Sequence, residues 1–193
     1  MTTLLTDNLP LLAGAPSGIK KLRELILELA VRGKLVPQDP SDEPASELLK
    51  RIAEEKARLV AEGKIKKQKA LSERDAEDPA FELPAGWAWA RLADVVNVLN
   101  GRAYKKEELL DAGTPVLRVG NLFTSNHWYY STLTLEEDKY CNPGDLLFAW
   151  SASFGPFIWH GERSIYHYHI WKLDFYAKGQ LSKHYLYNWL LEK

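Results

Sequence analysis

All seven Trp, nine Tyr and six Phe of this 193-residue chain lie at or after Phe81, and the first 80 residues hold none. Aromatic side chains supply much of the area buried in a compact core. The chain therefore divides near residue 80 into a lean, helix-forming arm and an aromatic-rich globular part. With 46% hydrophobic and 26% charged residues the composition is that of a folded chain rather than a disordered one. Apolar runs such as Leu9 to Ala13 are too short to span a bilayer, and the first twenty residues lack the charged start and apolar core of a secretory leader. A single cysteine, Cys141, excludes a disulfide framework and a multi-cysteine zinc site. A cytoplasmic location is expected.

The arm, residues 1–63, reads as two helices. Ser17 is placed to cap the first, where Ile19, Leu22, Leu25, Ile26 and Leu29 recur at helical spacing before Gly33. Pro44 opens the second, whose stripe is Ala45, Leu48, Leu49, Ile52 and Leu59, ending at Gly63. Their apolar faces serve either to pack on the globular part or to dock another subunit. Residues 64–80 read as a charged linker, basic at Lys64, Lys66, Lys67 and Lys69 and acidic at Asp75, Glu77 and Asp78. Its lysines are either a solvated surface or phosphate contacts.

Residues 81–178 read as short strands of a mixed sheet, giving an α+β fold. Strands are expected around Trp87 to Arg91, Pro115 to Val119, Leu146 to Trp150, Phe157 to Trp159 and Ile165 to Phe175. A turn is expected at Asn142-Pro143-Gly144 and short helical pieces at Lys105 to Leu110 and Leu135 to Tyr140. Trp87, Trp89, Trp150, Trp159 and Trp171 are assigned mainly to the core. A last helix, within residues 179–193, carries Leu181, Tyr185, Leu186, Trp189 and Leu190 on one face and meets no stop signal.

Catalytic patterns are scarce. The chain has no glycine-rich dinucleotide loop, no phosphate-binding GxxxxGK[ST] and no GxSxG elbow. Glu137-Asp138-Lys139, with Asp111 or Glu136, has the spacing of a metal-dependent nuclease, although three-residue patterns of this kind are common on surface helices. His167 and His169, two apart on an expected strand, face one side but lack a third ligand, with His160 and Cys141 distant in sequence. Cys141 reads as a structural thiol.

Four stretches carry a resemblance. Gly18 to Lys69, and above all GKLVPQDPSDEPASELL (Gly33 to Leu49), closely resembles the amino-terminal region of specificity subunits of type I restriction–modification systems. The likeness continues through FELPAGWAWARLADV (Phe81 to Val95), TPVLRVGNL (Thr114 to Leu122) and PGDLLFAWSASFG (Pro143 to Gly155), which look like pieces of the target-recognition domain. The resemblance implies a non-catalytic subunit that reads half of a split duplex DNA target and holds the methyltransferase subunits and, through the assembly, the restriction subunit. S-adenosylmethionine, ATP and magnesium would then belong to the partners, with none bound here. A complete subunit of that family has two recognition domains; with one, this chain is expected to be a fragment or a half-subunit that pairs with a copy of itself.

DNA reading requires polar side chains on loops that reach base edges, supported by phosphate contacts. The segment Asn100 to Lys106 offers Arg102, Tyr104, Lys105 and Lys106 beside Gly101. Arg118, Asn121 and Asn126 bracket the strand exit after Val119, Ser151 and Ser153 sit in an expected loop bent by Gly155, and Arg163 and His167 complete the candidates. Residues 81–176 carry 8 Lys+Arg against 11 Asp+Glu, so any DNA contact must come from a few placed cations. The readings from other classes are a metal-dependent nuclease using Glu136 to Asp138, and a protein-binding adaptor without DNA readout.

Overall fold

The structure, a computed structural model, describes residues 2–67 and 81–192. Lys69 and the acidic half of the expected linker lie outside them. The chain falls into two compact units that divide between Arg91 and Leu92.

Among its described residues the first unit has three helices rather than the expected two: α1 (Thr2–Gly14), α2 (Gly18–Val31) and α3 (Ala45–Ala61). The additional helix, α1, contains Pro10, the kind of residue that argues against a helix in a sequence reading. Ser17 does not cap α2: it adopts a left-handed conformation (φ 58°) and its side chain makes no capping bond. Pro44, extended, stands immediately before α3. Of the stripe on α2, Ile19, Leu25 and Ile26 remain exposed, while Val31 and, on α3, Ile52 are buried.

Residues 81–91 are not a strand. Their alternation of Trp87 and Trp89 serves a different purpose: the indole N–H of Trp87 donates to Gln38 Oε1 at 2.8 Å, and Gln38 Nε2 donates to the Gly33 carbonyl at 2.6 Å. Gly33 has φ +66°, and a Cβ there would lie 2.7 Å from the Trp87 ring. Glycine is thus required twice over, by conformation and by space. Trp89, expected in the core, is 43% exposed.

The second unit, Leu92–Leu191, holds two four-stranded sheets where one mixed sheet was expected. It opens with α4 (Leu92–Val95) and β1 (Val96–Asn100), followed by β2 (Thr114–Leu117), α5 (Val119–Phe123), β3 (Tyr129–Ser131), β4 (Tyr140–Cys141), β5 (Leu146–Ser151), β6 (Ser153–Ile158), β7 (Ser164–Tyr166), β8 (Ile170–Phe175) and α6 (Lys183–Glu192). The first sheet runs β1-β8-β5-β6, all antiparallel; the second runs β3-β2-β7-β4, with β2 and β7 parallel. The expected helical pieces are single 3-10 turns at Lys106–Glu108 and Glu137–Lys139.

Strand alternation explains the packing. Leu117, Cys141 and Tyr166 from the second sheet meet Leu147, Ala149 and Ile170 from the first in one buried cluster, flanked by Trp128, Phe157 and Trp159. The alternate residues Val116, Tyr140 and Ile165 point the other way and are covered by Tyr104, Leu109, Tyr129 and Leu135. Both faces of the second sheet are therefore buried. Among the described residues no helix is long and apolar enough to cross a membrane.

Candidate functional site

The chain leaves the second sheet at Tyr166 and enters the first at Ile170, so His167, Tyr168 and His169 form a three-residue link between sheets. The two histidines thus lie in a turn, not on the continuous strand expected from the sequence. Main-chain bonds fix this link from several sides. The His167 N–H donates to the Leu117 carbonyl at the end of β2 (2.9 Å), and the Tyr168 N–H donates to the Arg102 carbonyl (3.1 Å). The Arg102 N–H returns to the Tyr166 carbonyl at 3.2 Å, and the Trp150 N–H reaches the His169 carbonyl at 3.1 Å.

Gly101 makes the approach possible. A Cβ there would collide with the Tyr166 carbonyl and lie 2.5 Å from the His167 oxygen. No other residue type allows the 100–106 segment to run so close to the link.

The outcome is a ledge of half-buried rings. Tyr104 lies 6.4 Å from His167 between ring centroids, His167 4.4 Å from Tyr168, and Tyr168 4.0 Å from His169. Trp150 continues the series, 5.2 Å from His169 and 5.9 Å from Trp171, with its indole N–H donating to the Tyr168 carbonyl at 3.0 Å. Burial, with the positive charge of Arg118 and the neighbouring His169 adding to it, pulls His167 down to about 4. It is a neutral imidazole near pH 7, and its Nδ1 faces the His169 amide at 3.5 Å. Burial likewise raises the phenols of Tyr104 and Tyr166. The Tyr166 hydroxyl donates to the Asp138 carbonyl at 2.6 Å.

Several expected site residues are gathered here. Arg102 is joined to the link through its backbone, and its guanidinium lies 5.1 Å from the Tyr104 ring centroid. That guanidinium is engaged with both Glu108 oxygens at 2.9 and 3.0 Å. The Lys105 N–H, then the Arg102 charge, hold the Glu108 carboxyl below its usual range. Lys105 and Lys106 are exposed and make no salt bridge among the described residues. Arg118, exposed, lies 5.3 Å from the Tyr129 ring and pairs with no carboxylate among the described residues. Asn121 braces its own loop: its Oδ1 accepts the Arg118 N–H at 3.1 Å and its Nδ2 donates to the His127 carbonyl at 2.8 Å. Asn126 is exposed in that loop.

Ser151 and Ser153 are not in a loop. They are paired residues at the ends of β5 and β6, joined through Ala152 alone, and Gly155 lies within β6 opposite Ala149. Arg163 is placed elsewhere, before the start of β7, whereas His167 follows its end. Its guanidinium meets Glu137 at 2.8 and 3.1 Å and stacks 3.9 Å above the Tyr140 ring.

The acidic cluster does not assemble as a nuclease would require. Glu137 is taken up by Arg163, Asp138 faces Lys139 at 2.8 Å, and no group of three or more His, Cys, Asp or Glu is placed to hold a metal ion among the described residues. Cys141 is buried, its thiol pushed up to about 12 by burial, and it donates to the Ser164 carbonyl at 3.4 Å. Sequence reading missed Tyr168 and Trp150 as ledge residues. The signal was present in Tyr166-His167-Tyr168-His169, where polar aromatic residues interrupt the apolar alternation of the flanking strands.

The EcoAI type I restriction enzyme specificity subunit of Escherichia coli is 58% identical over 106 residues, covering 55% of this chain and 18% of that protein. The EcoEI specificity subunit of the same organism is 68% identical over 81 residues, covering 42% of this chain and 14% of that protein. The chain thus matches only a small part of the length of these curated relatives. Among solved structures, one described as the basis of complex assembly and conformational transition of the type I R-M system has a TM-score of 0.49 at 16% identity, covering 91% of this chain and 40% of that one. The HsdS subunit from Thermoanaerobacter tengcongensis has a TM-score of 0.46 at 20% identity, covering 76% and 38%. The family model for the type I restriction modification DNA specificity domain matches residues 84–193, which contain the whole two-sheet unit, and the chain belongs to that family.

Proposed function

We propose that this chain gives a type I restriction–modification complex its DNA sequence specificity, reading one half of a bipartite duplex target and scaffolding the methyltransferase subunit. The observation that carries this reading is the family match over 84–193, because it spans the unit that contains the ledge. In this reading the chain performs no chemistry. S-adenosylmethionine, ATP and magnesium serve the methyltransferase and restriction subunits, and the restriction subunit joins through the assembly.

The roles divide by environment. Arg118, Lys105 and Lys106, exposed and without a carboxylate partner among the described residues, suit phosphate or base contacts at once. Arg102 must exchange Glu108 for DNA, which makes it a selective contact rather than a general attractor. Neutral His167, whose Nδ1 accepts from the His169 amide, is left with its Nε2–H to donate to a base acceptor in the major groove. Tyr104 backs both, and Ser151 and Ser153 add small hydroxyls at the hairpin end. Asn121 holds the loop that presents Arg118. Arg163, engaged by Glu137, contributes least.

The test is fluorescence anisotropy with the chain combined with the methyltransferase subunit encoded beside it, against duplexes selected from a random pool. The complex should select a sequence, and its affinity should fall as salt rises. Arg118→Ala should weaken all duplexes together if it holds phosphate, or relax one position by ~1–3 kcal/mol if it reads a base. A complex that forms but binds every duplex equally would point to an adaptor and overturn the reading.

A further inference from the structure

Phe154 is 72% exposed, on the second residue of β6 and directly opposite Trp150. A lone exposed phenylalanine is ordinary on a protein surface. This one stands on an unusual support. β5 and β6 reverse through the single residue Ala152, whose φ of 65° lies in the left-handed region, a strained conformation for a residue with a Cβ. Its cross-strand partner Trp150 is locked by the indole bond to Tyr168 and by ring contacts with His169 and Trp171. The hairpin end is therefore both strained and braced, and it is tied to the ledge through Trp150.

The surroundings decide what Phe154 can meet. Its chain neighbours at the hairpin end, Ser151, Ala152, Ser153 and Gly155, are all small, and Trp150, its partner across the hairpin, is the large side chain paired with it. A protein interface needs a broad complementary patch. A single rigid apolar ring between small hydroxyls suits a wedge, which enters a duplex by separating two stacked base pairs while neighbouring polar groups meet the backbone.

We propose that Phe154 is such a wedge, inserting its ring into a base step of the bound half-site and stacking on the bases it separates. This rests on the DNA-reading function proposed above. The ledge would hold the hairpin in register, and the strained Ala152 turn would keep the ring from folding back.

The experiment uses the full chain in complex with the methyltransferase subunit and a duplex carrying the sequence that the unmodified complex selects from a random pool. With 4-benzoylphenylalanine at position 154, illumination should crosslink the chain to DNA. Phe154→Ala should lower affinity by roughly 5- to 150-fold, the value of one base–aromatic stack, while Phe154→Trp retains most of it. Thermal melting should not change in Phe154→Ala, since the ring is exposed. With 2-aminopurine scanned through the site, fluorescence should rise at one step with the parent and not with Phe154→Ala. Crosslinking to the methyltransferase subunit, or equal affinity of parent and Phe154→Ala for the selected duplex, would overturn the wedge and leave DNA reading intact. Failure of the parent complex to select any sequence would overturn both.

Discussion

Replacing Gly101 with alanine tests the construction of the ledge directly. The new Cβ would lie 2.5 Å from the His167 oxygen and 2.6 Å from the His167 carbonyl carbon, where ordinary contact begins near 3.4 Å. These are backbone atoms, so no side-chain rotation can relieve the collision. The 100–106 segment must retreat by most of an ångström. Three hydrogen bonds cross that seam: Gly101 N–H to Ile170 O at 3.3 Å, Arg102 N–H to Tyr166 O at 3.2 Å and Tyr168 N–H to Arg102 O at 3.1 Å. All three pass beyond bonding distance if the segment moves that far. At about 1 kcal/mol net for each bond, the loss is ~2–3 kcal/mol. For a unit of this size that corresponds to a melting temperature lower by roughly 10–20 °C. Near-ultraviolet circular dichroism is the assay, because all the aromatic residues lie at or after Phe81. Gly120→Ala is the control: it would bring only the Ser125 Cβ to 3.4 Å and lies within α5, so it should not lower the transition. A Gly101→Ala protein that melts with the parent would refute the argument that backbone proximity builds the ledge.

Three further outcomes are expected. Tyr166→Phe removes the hydroxyl that serves the Asp138 carbonyl inside a fully buried site, and chemical denaturation should show a loss of ~1–3 kcal/mol; an unchanged midpoint would show that this bond contributes nothing. His167 has a lowered folded value, so the unfolded chain takes up its proton first. Its contribution to stability is complete above about pH 6.5 and is lost as pH falls toward about 4, and His167→Gln should flatten that part of the stability profile. An NMR titration of His167 centred near its unperturbed value would contradict this. Cys141 should resist iodoacetamide at mildly alkaline pH while the chain is folded and react once guanidinium unfolds it, whereas rapid native labelling would contradict its burial and raised thiol value.

The α+β class, the turn at Asn142 to Gly144 and the strand at Leu146 to Trp150 were legible because alternation and turn chemistry coincide there. The split into two sheets was not. β2, β4 and β7 are two to four residues long and buried on both faces, so they show neither a solvent face nor a length that separates one sheet from two. The alternation at Trp87 and Trp89 misled for a different reason: Trp87 is held by Gln38 and Gly33, a contact that periodicity does not encode. Likewise Arg102 and His167 were each visible as candidates, but their pairing across distant segments was not. For Arg163, its carboxylate partner decides its placement, and a one-dimensional reading does not reveal that Glu137 lies opposite.

The link between the sheets is held mostly by main-chain groups, the carbonyls of Leu117, Tyr166 and His169 and both polar groups of Arg102, joined by the Trp150 indole bond to the Tyr168 carbonyl and the His169 amide bond to His167 Nδ1. Side chains at 102, 118, 168 and 169 can therefore be exchanged without removing a hydrogen bond of that clamp. At those positions the display and its mount are chemically separate. If those side chains read DNA as proposed, substitutions at those few positions would change the selectivity while Gly101 and the clamp stay as they are, at little penalty in folding.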